Sequence, residues 1–310
     1  MFSLDRLRAL SAVASHGSIA AAARELHVTP SALSQQVNKL ERETGHQLLE
    51  PHGRGVRFTH AGRVLAAHAN QVMRSVAAAE SDLLDLGTEV VGPLHIGAVG
   101  SAIRALVVTT LAALAQEHPR MTPTLRDGEV VTLLPALLAG ELDLLVIDSW
   151  ASRPLPLPEG VVTHTLLVEP ISIALPARHP LAESASLDLG QLDGVPWTSC
   201  PAGTEPYESL LQLARAHGME PDIRYAVAEY ASQLSLVAAN LAVALVPAMT
   251  QREASPGVRF VPCKTPLQRE IKVAWRAHAG GPLIRACLEF LTDAVAQDAG
   301  DFLPTAGSVA

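Results

Sequence analysis

Short polar side chains that share one face of a predicted helix offer the clearest chemistry in this sequence. Ser31, Ser34, Gln35 and Asn38 fall within about two helical turns, and Lys39 stands at the margin of the same face. Hydroxyl and amide groups can exchange hydrogen bonds with base edges in the DNA major groove, and a lysine can bind phosphate. The face therefore predicts a DNA-contacting surface. A solvated face of an ordinary helical hairpin has the same pattern and is the alternative.

Two short helices and a tight turn are needed to present that face. Ser18 is a suitable N-cap for the first helix, and the Ala-rich run after it favours helix formation. Thr29 is a suitable N-cap for the second helix, with Pro30 at its first position, where a missing N–H breaks no hydrogen bond. Three residues of the second helix recur at helical spacing and should face a core: Leu33, Val37 and Leu40. These elements predict a helix-turn-helix, with Ser18, Thr29 and Pro30 also near the DNA.

The flanking residues extend this unit into a winged helix-turn-helix. Leucines and a valine at positions 4, 7, 10 and 13 predict an amphipathic helix before it. Residues 52–59 combine a Gly/Arg-rich turn with strand-forming residues, which indicates a wing whose Arg54 and Arg57 could reach phosphates or the minor groove. A plain basic surface loop is the alternative for these two arginines. Residues 1–59 are therefore predicted to form one DNA-binding domain.

A heptad pattern follows in residues 60–88. Leu65 and Val72 stand one heptad apart, and Val76 and Leu83 continue an apolar seam on the same side. Such spacing is typical of a two-helix coiled coil, so the segment is predicted to dimerise through these four residues. A long helix packed on its own domain is the alternative. A dimer would bring two DNA-contacting helices to two half-sites.

Charge is segregated along the chain. The net charge is −8, yet residues 1–74 hold 9 lysines and arginines against 5 acidic residues, which leaves 14 against 26 for the remainder. A local basic excess suits phosphate binding. No signal peptide or membrane span is recognisable, and Cys200, Cys263 and Cys287 do not have the spacing of a zinc site. We therefore expect a protein of the reducing cytoplasm with no metal or other cofactor.

From residue 92 the sequence alternates between strand-like and helix-like segments, and the strands predicted at 94–99, 122–126 and 142–147 indicate the parallel sheet of an α/β domain, with a second α/β unit after it. Separate strands are predicted at 161–168 and 171–175, on either side of Glu169-Pro170, and another at 271–275. Ligands of such folds bind beyond the carboxyl ends of the strands. The fold class is therefore a multidomain α/β chain with an α+β character, in which a winged helix-turn-helix precedes a long linker helix.

The order of these motifs resembles the LysR-type transcriptional regulators over nearly the whole chain. The carrying residues are Gly17-Ser18, Ala22-Ala23, Leu26, Ser31-Ala-Leu-Ser34-Gln, Leu40-Glu41, Leu48, Thr59-His-Ala-Gly62, Gly92-Pro-Leu-His-Ile-Gly97, Gly140-Glu-Leu-Asp143 and His179-Pro-Leu181. The resemblance implies a two-lobed effector domain similar to periplasmic binding proteins. Lobe I would comprise residues 92–165 and 268–297, and lobe II would comprise residues 166–267. Residues 298–310 would form a frayed tail. It also implies dimers of dimers, a small-molecule effector and contact with RNA polymerase.

The chain departs from the family pattern before the wing, where Pro51 stands in place of a usual arginine. Carried over position by position, the resemblance places the effector between the lobes. Ser101 could bind a ligand or simply cap a helix, and Cys200 could be reactive or a small wall residue. Glu229 could be a polar wall or a solvated strand end. The expected lining is Gly100, Ser101, Gly128, Ser149, Cys200, Gly203, Thr204, Glu229 and Pro247.

An enzyme and a solute-binding protein are the alternatives to a regulator. An enzyme would need a nucleophile–base pair or a metal cluster, and none of the twelve histidines falls in a motif with serine or cysteine. A solute-binding protein would share the two lobes but would not carry residues 1–88. We therefore expect a non-enzymatic regulator whose partners are double-stranded DNA, a small molecule and a second copy of itself, with no membrane role.

Overall fold

Helices and one short hairpin build the first of two units into which the chain divides. The computed structural model describes residues 2–52, 55–84, 90–251 and 256–302. The first unit comprises Met1–Gly92 with Leu138–Glu141, and the second Pro93–Leu137 with Leu142–Ala310. The elements of the first unit are α1 (Leu4–His16), α2 (Ile19–Glu25), α3 (Pro30–Thr44), β1 (Leu49–His52), β2 (Gly55–Phe58) and α4 (His60–Leu84).

The predicted caps and core face of the helix-turn-helix are confirmed. Ser18 Oγ accepts a hydrogen bond from the N–H of Ala21, and Thr29 Oγ1 accepts one from the N–H of Ala32, both at 3.2 Å. Pro30 is the first residue of α3. The residues predicted to face the core are all buried: Leu33, Val37 and Leu40.

The long helix α4 packs partly on its own unit. Ala66 and Ala69 are buried in the core of the helix-turn-helix, and Leu65 packs against that core. Val72 is 38% exposed and Val76 is half-buried. The side chain of Leu83, Arg54 of the wing and linker residues 85–89 lie outside the described residues. The alternative of a helix on its own domain thus holds for the first turns, and the dimer seam beyond them stays a prediction.

A six-stranded sheet and a separate pair of strands organise the second unit. The strands of this unit are β3 (Gly92–Ala98), β4 (Met121–Asp127), β5 (Leu144–Trp150), β6 (Val161–Pro176), β7 (Pro196–Ser199), β8 (Asp222–Ala226), β9 (Ala244–Pro247) and β10 (Val258–Arg276). The six-stranded sheet has the order β4-β3-β5-β10-β6-β9, and β7 and β8 form the separate parallel pair. Its helices are α5 (Gly100–Ala102), which continues through the π-helical Ile103–Val107 into α6 (Val108–Glu117), α7 (Val130–Leu138), α8 (Glu205–Ala216), α9 (Tyr230–Ala238), α10 (Ala248–Gln251) and α11 (Pro282–Phe302).

The sheet is parallel between β3 and β5, as predicted, and becomes mixed at β10. Strand β3 pairs parallel to β5, but β10 runs antiparallel to both β5 and β6. The two strands predicted around Glu169-Pro170 are one strand, β6, and the strand predicted at 271–275 is the end of the longer β10. Pro170 lies one residue outside the pairing of β6 with β9, which begins at Ile171. A proline is tolerated where a strand has a partner on one side only.

The predicted boundaries between lobes, at 165/166 and 267/268, fall inside β6 and β10. Both predicted lobes therefore share these two strands, and the division into lobes stays a prediction. Helix α11 continues to Phe302, past the predicted start of the tail at 298. Residues 303–310 lie outside the described residues.

Candidate functional site

The outer face of α3 carries the residues predicted to contact DNA. Ser31, Gln35, Asn38 and Lys39 are exposed, and Ser34 is half-buried with its hydroxyl donated to the carbonyl of Pro30 at 2.9 Å. Ser34 Oγ therefore keeps its lone pairs available as a hydrogen-bond acceptor. Thr29 and Pro30 are also exposed at the start of α3, whereas Ser18 is half-buried in its capping role.

The hairpin after α3 pairs its one described arginine with an acid. Strand residues Glu50 and Arg57 face each other in register, and Arg57 Nε donates to Glu50 Oε1 at 2.8 Å. The Arg57 side chain is 63% exposed, so the pair is a solvent-screened contact that a phosphate can compete with. Pro51 follows Glu50 in β1, opposite Val56. Glu50, the acid next to Pro51, therefore restrains Arg57 of the wing.

Residues that sequence reasoning missed fix the wing to α3 and α4. Glu41 Oε1 accepts from the N–H groups of Leu48 and Leu49, at 2.7 and 3.1 Å, and so joins α3 to β1. Thr59 Oγ1 donates to the carbonyl of Gln47 at 2.7 Å. A Cβ on Gly62 would lie 2.0 Å from the carbonyl oxygen of Leu48, so only glycine allows this approach. Glu41 and Gly62 are among the residues that carry the family resemblance, but the sequence does not predict the contacts that they make.

A cleft in the second unit, termed here the Arg269 pocket, opens where β3, β4 and β5 end. It holds about 490 Å³ of empty space, including its opening to solvent. The start of the helix after β3 forms one side, with Val99 as the N-cap residue. Ser101 is therefore inside the helix, and the interpretation of Ser101 as a simple cap is wrong. The wall consists of Val99, Gly100, Ser101, Arg104, Asp127, Glu129, Asp148, Cys200, Pro206, Ala228, Glu229, Tyr230 and Arg269.

Arg269 is the buried centre of this pocket. Its guanidinium lies 2.7 Å from Glu169 Oε1, 3.2 Å from Asp148 Oδ2 and 3.1 Å from Ser101 Oγ. Arg269 and Glu169 are register partners on β10 and β6, which brings them together across the sheet. Burial alone would lower the pKa of Arg269, but the carboxylates of Glu169 and Asp148 outweigh burial and raise it. The arginine is thus a fixed cation that holds three elements around the pocket.

Glu129 titrates near neutral pH. Burial, followed by the negative charges of Asp148 and Asp127, raises the pKa of this carboxyl to about 7, while Arg269 acts in the opposite direction. Glu205 adds a further negative contribution from α8. A carboxyl of this kind changes charge readily when a charged ligand arrives.

Glu229 has a structural task at the rim. Its carboxylate accepts from the N–H groups of Ala231 and Ser232, at 3.0 and 2.8 Å, and caps α9. Glu229 Oε1 also lies 3.0 Å from Arg104 Nη1. Desolvation opposes ionisation, but the two backbone hydrogen bonds and the arginine lower the pKa of Glu229 overall. It is therefore a charged cap that also forms part of the wall.

Cys200 lies in the wall as a protonated thiol. It is 1% exposed, and burial with the negative charges of Glu129 and Asp148 raises its pKa to about 12. Its Sγ lies 3.5 Å from Gln233 Nε2 and from the carbonyl oxygen of Ala228. The thiolate is the reactive form of cysteine, so this environment favours the prediction of a wall residue over that of a reactive one.

The structure brings four of the nine predicted effector residues into the described wall: Gly100, Ser101, Cys200 and Glu229. Ser149 was predicted to line the pocket, but the lining residue is its neighbour Asp148, because successive residues of a strand face opposite sides of the sheet. Ser149 Oγ instead accepts from the N–H of Leu155 at 3.1 Å. Gly128 donates its N–H to the carbonyl of Ala98, and its neighbours Asp127 and Glu129 form the wall.

The remaining predicted residues serve local structure. The N–H of Gly203 donates to Glu208 Oε1 at 3.2 Å, so this amide is already hydrogen-bonded within the chain. Thr204 Oγ1 donates to the carbonyl of Pro201 at 2.7 Å. Pro247 is the end of β9, opposite Ile171. None of the three belongs to the pocket wall among the described residues.

Comparison with known proteins covers both units. Residues 4–63 match the family model of bacterial regulatory helix-turn-helix proteins of the lysR family, and residues 87–296 match the LysR substrate binding domain. The HTH-type transcriptional regulator YnfL of Escherichia coli (strain K12) is 31% identical over 282 residues, 89% of this chain and 92% of that protein. The DNA-binding transcriptional dual regulator OxyR of the same strain is 28% identical over 292 residues, 93% of each chain.

Solved structures agree in fold. A full-length OxyR variant from Pseudomonas aeruginosa superposes with a TM-score of 0.75 at 26% identity, covering 95% of this chain and 98% of that one. Full-length CbnR complexed with its target DNA superposes with a TM-score of 0.64 at 23% identity, covering 94% and 99%. Within the described residues, no helix is both long and apolar enough to span a membrane.

Proposed function

Because the chain belongs to the LysR family of bacterial helix-turn-helix regulators, we propose that it contacts operator DNA through α3 and responds to a small molecule in the Arg269 pocket. Its family gives it a DNA-binding domain and an effector-binding domain, and its named relatives are transcriptional regulators. The observation that carries the DNA role is the polar, exposed face of α3 opposite a fully apolar buried face.

The proposed contacts divide into base and phosphate groups. Gln35, Ser31 and Ser34 have the donors and acceptors that base edges match, and Lys39 can bind phosphate. Arg57 would reach phosphate once released from Glu50. A second copy of the chain would pair through α4 and supply the second reading helix, and contact with RNA polymerase would complete the regulatory role.

The DNA role is tested with duplexes selected from random sequence by the full-length chain. Gln35→Ala is expected to weaken operator binding by about 1–3 kcal/mol, the range for loss of one good base contact. Gln116→Ala, the same change on the exposed end of α6 in the second unit, is the control and should leave the affinity unchanged. Fluorescence polarisation at fixed salt measures both variants. Equal affinity for the two variants would refute the assignment of α3.

The effector role is proposed as a population shift. A ligand that binds one arrangement of the second unit more tightly would favour that arrangement, and the two DNA readers of a dimer would change their spacing. If a bound ligand changes neither operator affinity nor DNA bending, this coupling is absent.

Several relatives are named hydrogen peroxide-inducible genes activators, which raises oxidation of Cys200 as a second candidate signal. In this chain the pKa of about 12 keeps the thiol protonated, and peroxide reacts with thiolates. Non-covalent binding of an effector in the pocket is therefore the proposal that the described environment supports better.

A further inference from the structure

The Arg269 pocket has an excess of negative charge. Four carboxylates and two guanidinium groups line it, an excess of two when all are ionised: Asp127, Glu129, Asp148, Glu229, Arg104 and Arg269. Both arginines already contact carboxylates, since Arg104 lies 3.0 Å from Glu229 and Arg269 lies between Asp148 and Glu169. Neither arginine needs an added anion for charge balance.

Two buried polar atoms in the same wall lack a hydrogen-bond partner within the described part of the chain. Asp148 Oδ1 is one, in a side chain whose other oxygen accepts from Trp150 Nε1 at 3.0 Å and from Arg269 at 3.2 Å. The hydroxyl of Tyr230 is the other. Asp148 is 2% exposed and Tyr230 is 5% exposed. Buried polar groups are normally paired, so an unpartnered carboxylate oxygen and an unpartnered hydroxyl, both termed open here, in residues that line one cleft point to a missing hydrogen-bonding ligand.

We propose, on the premise of the effector role above, that this ligand carries a protonated amine or amidine. Such a group has several N–H donors and no acceptor, which matches the open oxygens of Asp148 and Tyr230 and the carboxylate of Glu129. A carboxylate or phosphate ligand would instead face Asp127, Glu129 and Asp148 in a site whose arginines are already paired. The negative excess therefore selects cations and disfavours anions.

Glu129 gives this selection a pH dependence with a defined sign. Its carboxyl faces Asp148, Asp127 and Glu205 as negative groups and Arg269 as the positive one, with Arg104 and Glu229 also lining the pocket, and its pKa is about 7. A cation binds best when Glu129 is ionised, so binding at neutral pH releases a proton. Since the ionised fraction rises from about one tenth at pH 6 to about nine tenths at pH 8, affinity for an amine should rise about tenfold over this range. An anion would show the opposite trend.

The test uses the full-length chain and four probes of equal carbon number: 1,4-diaminobutane, 4-aminobutanoate, 1,4-butanediol and butanedioate. Thermal shift and isothermal titration are measured at pH 6, 7 and 8, with the ionisation state of the amines constant. The expected result is binding of the diamine, with or without the amino acid, no binding of the diol or the dianion, and affinity that rises with pH. A second series with benzylamine, benzyl alcohol and benzoate covers ligands that need more apolar contact.

Two variants locate the effect. Glu129→Gln keeps the size of the side chain and should weaken amine binding about tenfold while removing the pH dependence. Glu117→Gln at the exposed end of α6 is the matched control and should bind as the unmodified chain does. Unaltered amine affinity and pH dependence in Glu129→Gln would contradict the assignment.

The outcomes separate this inference from the proposed function. Stronger binding of butanedioate or benzoate than of the amines, or binding of no amine in either series, overturns the choice of a cationic ligand. Operator binding that persists in such an experiment leaves the DNA role intact. Loss of the DNA role would show separately, as failure of the chain to select a duplex.

Discussion

Replacing the buried Arg269 should lower the unfolding free energy of the second unit more than most single substitutions do. Arg269→Met keeps most of the apolar length of the side chain but removes the cation between Glu169 and Asp148, which are 0% and 2% exposed. It also removes the donor to Ser101 Oγ. Breaking a buried ion pair by removing one partner leaves an uncompensated charge, so we expect a loss of about 3–5 kcal/mol in unfolding free energy.

Urea unfolding, monitored by tryptophan fluorescence, measures this loss in the second unit, because Trp150, Trp197 and Trp275 all belong to that unit. Arg259→Met is the matched control. It lies on the same strand, β10, with a half-exposed side chain 3.8 Å from Glu183, and should change stability by less than about 0.5 kcal/mol.

Adding Glu169→Gln to Arg269→Met should recover part of the loss, because one of the two stranded carboxylates becomes neutral. A loss below about 1 kcal/mol for Arg269→Met, or a loss equal to that of Arg259→Met, would refute the reasoning that this cluster depends on the buried cation.

Three further predictions concern the wing, the Cys200 thiol and the helix α4. Glu50→Gln frees Arg57 and should strengthen DNA binding and steepen the slope of log affinity against log salt by about 1. Adding Arg57→Ala to Glu50→Gln should cancel this gain, and equal slopes for the two variants in polarisation titrations would count against the wing contact. At pH 8, alkylation of Cys200 followed by mass spectrometry should be on the order of 10³-fold slower in the folded than in the urea-unfolded chain, because its pKa is about 12; matching rates would exclude a protonated wall thiol. Val72→Asp should dissociate the dimer, while Val64→Asp, on the same helix and also exposed, should not; light scattering that gives one mass for both variants would remove the seam from α4.

The helix-turn-helix could be predicted from the sequence because its signals are local. Caps, the proline at the first position of α3 and the three-to-four spacing of Leu33, Val37 and Leu40 all act within a few residues. The hydrogen bonds of Ser18 and Thr29 and the buried face of α3 follow directly from those signals. Such short-range geometry requires no knowledge of the rest of the chain.

The pocket could be predicted only in part, because its chemistry is assembled over long sequence distances. Arg269 meets Glu169 across 100 residues and Ser101 across 168, and Arg269 lies on a central strand, β10, of which the sequence predicted only residues 271–275. Glu169 was taken as part of a break between strands because proline follows it. Asp148 and Ser149 both lie within β5, where successive side chains face opposite sides of the sheet, so the choice of Ser149 selected the wrong face by one residue.

The open oxygen of Asp148 also relates the stability of the second unit to its ligand. A buried acceptor without a partner costs about 1–3 kcal/mol relative to the same group hydrogen-bonded. A bound N–H donor would recover part of that cost, and at a concentration of 100 times its Kd a ligand stabilises the folded state by about 2.7 kcal/mol. This gain approaches the loss expected for Arg269→Met, so the unfolding comparison must be made in amine-free buffer. Asp148 keeps one oxygen for Trp150 and Arg269 and leaves the other open, and the unit is therefore expected to reach its full stability only when the pocket is occupied.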